Sequence, residues 1–408
     1  MKILYLVHQF YPEFYTGTEK FVFNVAAMNH KAGHKVKVLT YSFYENSSYE
    51  RREGDILLKE FSYKGISVLA YRHRSPQADL HASVDNNELR KIAVKLLAEE
   101  KPDVVHVGHS MRTGEFIQAC MHLSVPYIMT LTDFWLICPK VILITSDNGF
   151  CAGPDGARAC GLLCPELPHQ LLTARLQRTK NILYNAALAV SPSKFLASIF
   201  KKEVDTLPLR VIPHGINYGY IQRNKKTYGK KDGMTFFYGG SLNHHKGVHL
   251  LIEAFMKIVS SNARLKIYGS GVDQSYIRTL QELAGGDARI EFCGVFSEAQ
   301  VGEILSRVDA VVIPSLCYES YSMILHEALA CNVPVVASDI GVMAEKIEDG
   351  VNGFTFRPGS ADHLKEVLEG LLREPEKLNI VKDNLRSFVV PSIEQEAYTY
   401  EREYKNIS

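Results

Sequence analysis

The chain has 408 residues, with 46 Lys and Arg against 45 Asp and Glu, and its net charge of +1 excludes a molecule that binds nucleic acid through bulk charge. At 46% hydrophobic and 22% charged it has a globular composition, and its length suits two α/β domains rather than one core. No stretch approaches the roughly 18 apolar residues of a spanning helix, and the apolar run Ile3–Val7 is too short for a secretion signal, so a cytoplasmic protein is expected, at most peripheral at the inner membrane face.

Ile3–Val7 reads as a buried strand. A loop rich in Pro, Tyr and Gly follows (Gln9–Thr18), then a helix from Glu19 to Lys31 with Val22, Val25, Ala26 and Asn29 on one face. Gly33 ends that helix, and Lys35–Thr40 is the next strand. Such strand–loop–helix–strand units build parallel sheets, and the strands Val104–Val107 and Tyr127–Leu131 continue the series. A second series starts after residue 230. Its strands are Met234–Tyr238, Leu265–Tyr268, Ile290–Cys293, Ala310–Ile313 and Val333–Ala337, with a helix over Val248–Val259. Between the two lies Pro208–Lys231, which holds Pro213-His214-Gly215 and then a lysine-rich stretch. The expected division is therefore 1–212, 213–390, and a C-terminal segment 391–408 crossing back to the first domain. Its helix begins at Ser392, with Gln395 completing a capping box.

The fold class expected is α/β, with two Rossmann-like doubly wound domains facing across a cleft. Ligands of open α/β sheets bind at the carboxyl ends of the strands. Oxidoreductases, epimerases and transferases all use such folds, so the choice rests on the site. A dehydrogenase is disfavoured, because no strand leads into G-x-G-x-x-G.

The informative segment is Pro314–Cys331. A buried strand runs into a turn of small residues carrying Glu319, and a helix over Ile324–Ala330 carries Glu327. Seven residues separate the two glutamates, at most about 12 Å at the helical rise. That is the order of the ribose-to-hexose span of a nucleotide sugar. The helix start between them offers N–H groups and a dipole to a diphosphate. An isolated pair of glutamates is more often plain surface; here the apolar strand, the turn and the strand behind favour a site.

On these residues the chain resembles the retaining glycosyltransferases of GT-B type known as family 4. Pro213-His214-Gly215-Ile216, Gly269-Ser270-Gly271 and Gly294-Val295 carry the likeness through the second half. The resemblance implies a nucleoside-diphosphate sugar as donor, UDP- or GDP-sugar ahead of ADP-sugar, and no required cofactor. It implies a saccharide or lipid-linked acceptor in cell-surface polysaccharide or glycoconjugate assembly. It places Glu319 at the transferred sugar and Glu327 on the ribose. Backbone amides of Tyr321, Ser322 and Met323 would hold sugar and phosphate, and Val295 would meet the base. The loop Gly239–Gly247 offers Gly240 for close backbone approach and Lys246 as a point charge for phosphate. The family often has arginine where Ser241 stands. No D-x-D pair occurs, which fits metal-independent transfer.

On the first domain, Gly17 and Thr18 of Thr16-Gly17-Thr18-Glu19 match a glycine-rich loop facing phosphates and acceptor. Leu131-Thr132-Asp133-Phe134-Trp135 matches a segment where histidine and then aspartate follow the strand. Thr132 takes the histidine's place, which leaves Asp133 or the substrate as base. His109, beyond the strand Val104–Val107, is a further catalytic candidate.

Two features stand apart. Cys138, Cys151, Cys160 and Cys164 share a Gly-rich loop and could hold a structural zinc, or remain free or disulfide-capable thiols. Arg175–Lys180 reads as a basic helix, available to a membrane or a phosphorylated acceptor, or simply solvated. Residues 1–210 carry net +5 and the rest −4, which leaves the same alternatives for the whole half. Against transfer stand two other expectations. One is a GT-B sugar-nucleotide epimerase or phosphorylase, whose acid/base set is not found. The other is an impaired nucleotide-sugar-binding protein, suggested by Ser241 and Thr132.

Overall fold

The first expected strand forms as β1 (Lys2–Val7), buried at five of its six positions. A strand covered on both faces reads as a continuous apolar run, as a parallel sheet with helices on both sides requires. The computed structural model describes residues 1–75, 86–230 and 232–408, with backbone only for 169–171. Lys231, the end of the lysine-rich stretch, lies outside the described residues. The chain divides into two units, Met1–Gly215 with Ile393–Ser408, and Ile216–Ser392.

In the first unit β1 pairs in parallel with β2 (Lys35–Tyr41). The chain then makes β3 (Arg51–Glu53), β4 (Ile56–Tyr63) and β5 (Ile66–His73), an antiparallel edge not expected from the sequence. Lys64 and Gly65 form its two-residue turn, both at positive φ (47° and 85°), the backbone that hairpin twist favours. Next come β6 (Val104–Val107), β7 (Tyr127–Thr130), β8 (Leu188–Ser191) and β9 (Leu209–Val211), giving the order β3-β4-β5-β2-β1-β6-β7-β8-β9. Strand order reverses at β1, which lies between β2 and β6. Reversals of this kind open a crevice beyond the strand ends.

The second unit is an all-parallel sheet of β10 (Met234–Gly239), β11 (Ala263–Tyr268), β12 (Ile290–Gly294), β13 (Ala310–Ile313), β14 (Val335–Ser338) and β15 (Phe354–Phe356). Its order is β12-β11-β10-β13-β14-β15, so the reversal lies at β10 and β13.

The C-terminal helix Ile393–Ile407 belongs to the first unit and enters its core with Tyr400 and Tyr404, both fully buried. Buried hydroxyls need partners. The Tyr404 hydroxyl meets His106 Nδ1 at 2.5 Å, and the Tyr400 hydroxyl meets Thr130 Oγ1 at 2.9 Å. Thr130 Oγ1 also bonds His106 Nε2 at 2.7 Å. The linker is pinned as well: His214 Nδ1 and the Gly215 N–H bond the Glu396 carboxylate at 2.8 and 2.7 Å. Burial lowers the His106 pKa to about 3, so the imidazole is neutral and can serve one neighbour as donor and another as acceptor.

Two outcomes follow for this network. Tyr404→Phe leaves His106 without one buried partner and should destabilise the first unit by about 1–3 kcal/mol, read by urea unfolding followed through Trp135 emission. Because the folded imidazole resists protonation, its contribution is complete above the ordinary histidine pKa of 6.5 and falls away as pH drops toward 3. Denaturation midpoints measured between pH 7 and 4 should therefore decline, and His106→Gln should flatten that decline.

Candidate active site

Each unit gathers its chemistry beyond the strands where order reverses. In the second unit, β10 leads through Gly240–Asn243 into a short helical turn, His244–Lys246, closed by Gly247. Gly247 has φ 70°, and a Cβ there would sit 1.9 Å from the Pro314 carbonyl oxygen, so only glycine lets this loop lie against the one following β13. Leu316 N–H donates to the His245 carbonyl at 2.8 Å and ties the two loops together. The next loop along the sheet edge packs equally closely. Gly269, at φ 147°, would place a Cβ 1.8 Å from the Gly240 oxygen, and Leu242 N–H donates to the Ser270 carbonyl at 2.8 Å. Gly269 N–H donates to the Gly294 carbonyl at 2.7 Å, which brings Val295, 66% exposed, to the end of the same row.

Lys246 and Glu319 meet in this row. Lys246 Nζ lies 2.7 Å from Glu319 Oε1, and Ser315 Oγ donates to the same oxygen at 2.8 Å. The carboxylate side chain is only 15% exposed. Burial pushes the Glu319 carboxyl up, but the Lys246 charge, helped by both hydrogen bonds, outweighs it and holds the pKa below the usual value. Burial likewise pulls the Lys246 ammonium down, and Glu319 more than restores it. Each partner keeps the other ionised.

Past Glu319 the chain turns through Tyr321 and Ser322 into the helix Met323–Ala330, one turn of which separates its start from half-buried Glu327. Ser322 stands at φ 64°, ψ 86°, a left-handed backbone rarely adopted by a residue with a Cβ, and its hydroxyl does not cap the helix. The Tyr321 ring stacks on His326 at 3.8 Å and 2°, and His326 Nδ1 lies 3.0 Å from the Ser322 carbonyl oxygen. These contacts fix a helix start that the Ser322 hydroxyl does not cap. Gly240 and Ser241 lie exposed in the loop before Lys246, and Ser241 brings no charge.

In the first unit, His109 and Asp133 come together: Nε2 to Oδ2 is 2.7 Å. Met111 N–H donates to His109 Nδ1 at 3.1 Å, so the neutral ring carries its proton on Nε2 and donates to Asp133. His109 is 3% exposed and Asp133 30%, so the carboxylate is the end that a substrate can reach. The Trp135 N–H donates to Asp133 Oδ1 at 2.8 Å. His8, which follows β1, was not singled out in the sequence. Its ring lies 4.0 Å from that of His109, and its Nε2 is 3.7 Å from Oε1 of fully buried Glu19. Glu19 Oε2 accepts from the Thr16 N–H at 2.7 Å, completing the capping box of the helix Gly17–Lys31. A histidine directly after the first buried strand was the available signal. Gly17 opens that helix, and a Cβ added there would meet nothing within 4 Å, so packing does not demand glycine. Thr132 gives its hydroxyl to the Gly108 carbonyl at 3.3 Å.

Two expectations are corrected. The zinc reading of Cys138, Cys151, Cys160 and Cys164 finds no support: among the described residues no three or more His, Cys, Asp or Glu are grouped to hold a metal ion. All four are buried free thiols. The basic stretch at Arg175–Lys180 is not a plain charged face either, because Arg175 is buried. Among the described residues no helix is long and apolar enough to cross a membrane.

The family model described as Glycosyltransferase Family 4 matches residues 15–219, half of the chain. The chain belongs to glycosyltransferase family 4. A second model, Glycosyl transferases group 1, matches residues 221–388. An uncharacterized glycosyltransferase of Methanocaldococcus jannaschii is 26% identical over 351 residues, 81% of this chain and 79% of its own. A lipopolysaccharide 1,2-N-acetylglucosaminetransferase of Salmonella typhimurium is 26% identical over 242 residues, covering 54% of this chain and 63% of its own. Among solved structures, Anabaena HepE in complex with UDP and glucose matches with a TM-score of 0.72 at 17% identity, over 100% of both chains. The fold of this family 4 enzyme is GT-B, and its activity is glycosyl transfer.

The paired charges of this glycosyltransferase generate a measurable expectation. Lys246→Met leaves Glu319 buried with only the Ser315 hydrogen bond and the smaller His245 contribution, so burial should dominate and raise the carboxyl, against a wild type held below the usual value. Carbon-13 NMR titration of the glutamate carboxyls reads this directly. An unchanged Glu319 titration would mean the ion pair does not form in solution.

Proposed function

We propose that this enzyme transfers a sugar with retention from a nucleoside-diphosphate sugar, UDP- or GDP-linked, to a saccharide or lipid-linked acceptor, without a metal. Its setting is polysaccharide or glycoconjugate assembly, as for the Salmonella relative named for lipopolysaccharide. A lipid-linked acceptor would bring it to the inner membrane face.

The observation that carries the reading is the Lys246–Glu319 pair beside the Met323–Ala330 helix start. Lys246 and the N–H groups of a helix start that Ser322 does not cap suit a diphosphate, because both concentrate positive potential on one short stretch of chain. Glu319 is then released to accept hydrogen bonds from sugar hydroxyls, and Glu327 accepts from the ribose. The bond from sugar C1 to the phosphate oxygen breaks as the acceptor oxygen bonds C1 on the same face. The acceptor proton passes to the departing phosphate oxygen. Charge builds on that oxygen, where Lys246 stabilises it more in the transition state than in the ground state. The acceptor is assigned to the first unit, with Asp133 orienting its hydroxyl.

Thermal-shift measurement against UDP-, GDP- and ADP-sugars tests this first, since a ligand of the folded state raises the unfolding temperature by mass action. One UDP- or GDP-sugar should raise it. Lys246→Met should weaken nucleoside-diphosphate binding by about 10- to 100-fold, the loss of a charge-assisted hydrogen bond. Glu319→Ala should keep the nucleotide shift and lose transfer. Absence of any nucleoside-diphosphate shift in the wild type would end the donor reading. Binding without hydrolysis or transfer across a broad acceptor panel would point instead to an impaired binding protein.

A further inference from the structure

Arg175 lies on the helix His169–Tyr184 and is 5% exposed, whereas Arg178 on the same helix faces solvent. A buried guanidinium is costly unless charge and hydrogen bonds replace its water. Trp135 supplies two replacements. The Arg175 guanidinium lies over the indole, 4.5 Å from Cζ to the ring centre, and Nη2 donates to the Trp135 carbonyl oxygen. Among the described residues, Nε and Nη1 have no hydrogen-bond partner, so the hold on Trp135 is the main anchor of this side chain.

Charge comes from elsewhere. Burial lowers the Arg175 pKa to about 10, and Cys138, Asp133 and Cys160 act against that fall. The side chain thus stays charged at neutral pH. The Cys138 and Cys160 thiols are themselves raised by burial and stay protonated. The carboxylate of Asp133 is therefore the member of the three with a negative charge to offer.

Asp133, Trp135 and Arg175 thus form one chain of contacts. Asp133 Oδ1 accepts from Trp135 N–H, and Trp135 O accepts from Arg175. The turn between is closed by Ile137 N–H and Cys138 N–H, both donating to the Phe134 carbonyl at 2.9 and 2.7 Å. His109 completes the support by donating to Asp133 Oδ2. Of these groups Asp133 alone is substantially exposed on its side chain, compared with His109, Trp135 and Arg175.

Resting on the reading that the first unit serves the acceptor, we propose that Arg175 is a positioning residue, clamping the Trp135 turn and balancing the Asp133 charge so that the carboxylate meets the acceptor hydroxyl in one orientation. It touches no substrate. Its effect falls on the turnover step and spares the donor residues, since Lys246, Glu319 and Glu327 all belong to the other unit.

Trp135 is the single tryptophan of the chain, so its emission reports on this clamp. The full-length protein is compared with Arg175→Met and Arg175→Lys, using the nucleotide sugar that shifts the wild type. Arg175→Met should keep the nucleotide-induced rise in unfolding temperature and hold donor KM within about twofold, while kcat falls by about 100-fold, as expected for a displaced reacting group. Trp135 emission should change, and added guanidinium ion should return part of both rate and emission. Arg175→Lys, a point charge without a planar face, should recover only part of the rate. A folded Arg175→Met with unchanged kcat and emission overturns the proposal. So does a loss of rate that guanidinium leaves untouched. If Arg175→Met does not fold, Arg175→Lys decides: wild-type kcat overturns, and reduced kcat with an intact nucleotide shift supports. A wild type without any nucleotide shift defeats the donor reading alone, and the emission change with its guanidinium recovery still judges the clamp.

Discussion

Parallel pairing sends neighbouring strands in one direction and so collects the loops that follow them at one end of each sheet. Where strand order reverses, the two loops on either side lead away from each other, and the gap between them is the one place a ligand can approach backbone amides. Both units obey this constraint. The loops after β10 and β13 meet at Gly247 and Pro314, and the Lys246–Glu319 pair sits on that seam. The loops after β1, β6 and β7 bring His8, His109 and Asp133 together in the same way. His8, His109, Asp133, Glu319 and Lys246 stand one to seven positions beyond a strand end, whereas Glu327 lies farther on, inside the helix that follows β13.

Several strands were readable because burial on both faces leaves no room for polar alternation, but β8, buried at all four positions, was not among them. Ala310–Ile313 is β13 to the residue, and Val104–Val107 is β6. Tyr127–Leu131 overran β7 by one position, which is where backbone pairing gives way to the Asp133 turn. The β3–β5 edge was missed for a physical reason. β3 and the second half of β4 are not buried, and the turn is Lys64-Gly65, which lacks the asparagine or aspartate that usually announces such a hairpin.

Within the site, legibility tracked sequence distance. Glu319 and Glu327 stood on one short segment, and their helix could be drawn from the chain alone. The partnership of Lys246 with Glu319 spans 73 residues and that of Arg175 with Trp135 spans 40, and no periodicity encodes either. Arg175 misled for a second reason. It belongs to a run of cations that composition assigns to solvent, and only packing reveals that its guanidinium lies over an indole. The four cysteines left zinc and free thiols open by pattern; in the structure they are buried free thiols, and among the described residues no group of metal ligands forms.

The missing arginine at Ser241 gains a consequence from the ion pair. Lys246 is already paired with Glu319, so the positive charge of the loop is largely neutralised. On the proposed donor reading, a diphosphate must win Lys246 from a buried carboxylate, and Glu319 must then find hydroxyls to replace the ammonium, because an unpartnered carboxylate at that depth is costly. A nucleotide sugar supplies both exchanges at once: phosphate oxygens for Lys246 and sugar hydroxyls for Glu319. A free diphosphate supplies only the first. On the donor reading proposed above, the pair discriminates by chemistry as well as by shape, favouring a ligand that carries sugar and diphosphate on one molecule over either part alone. It also holds the lysine in place before the ligand arrives, which reduces the side-chain freedom lost on binding. One cation held in this way can do at this loop much of what two mobile ones would do elsewhere.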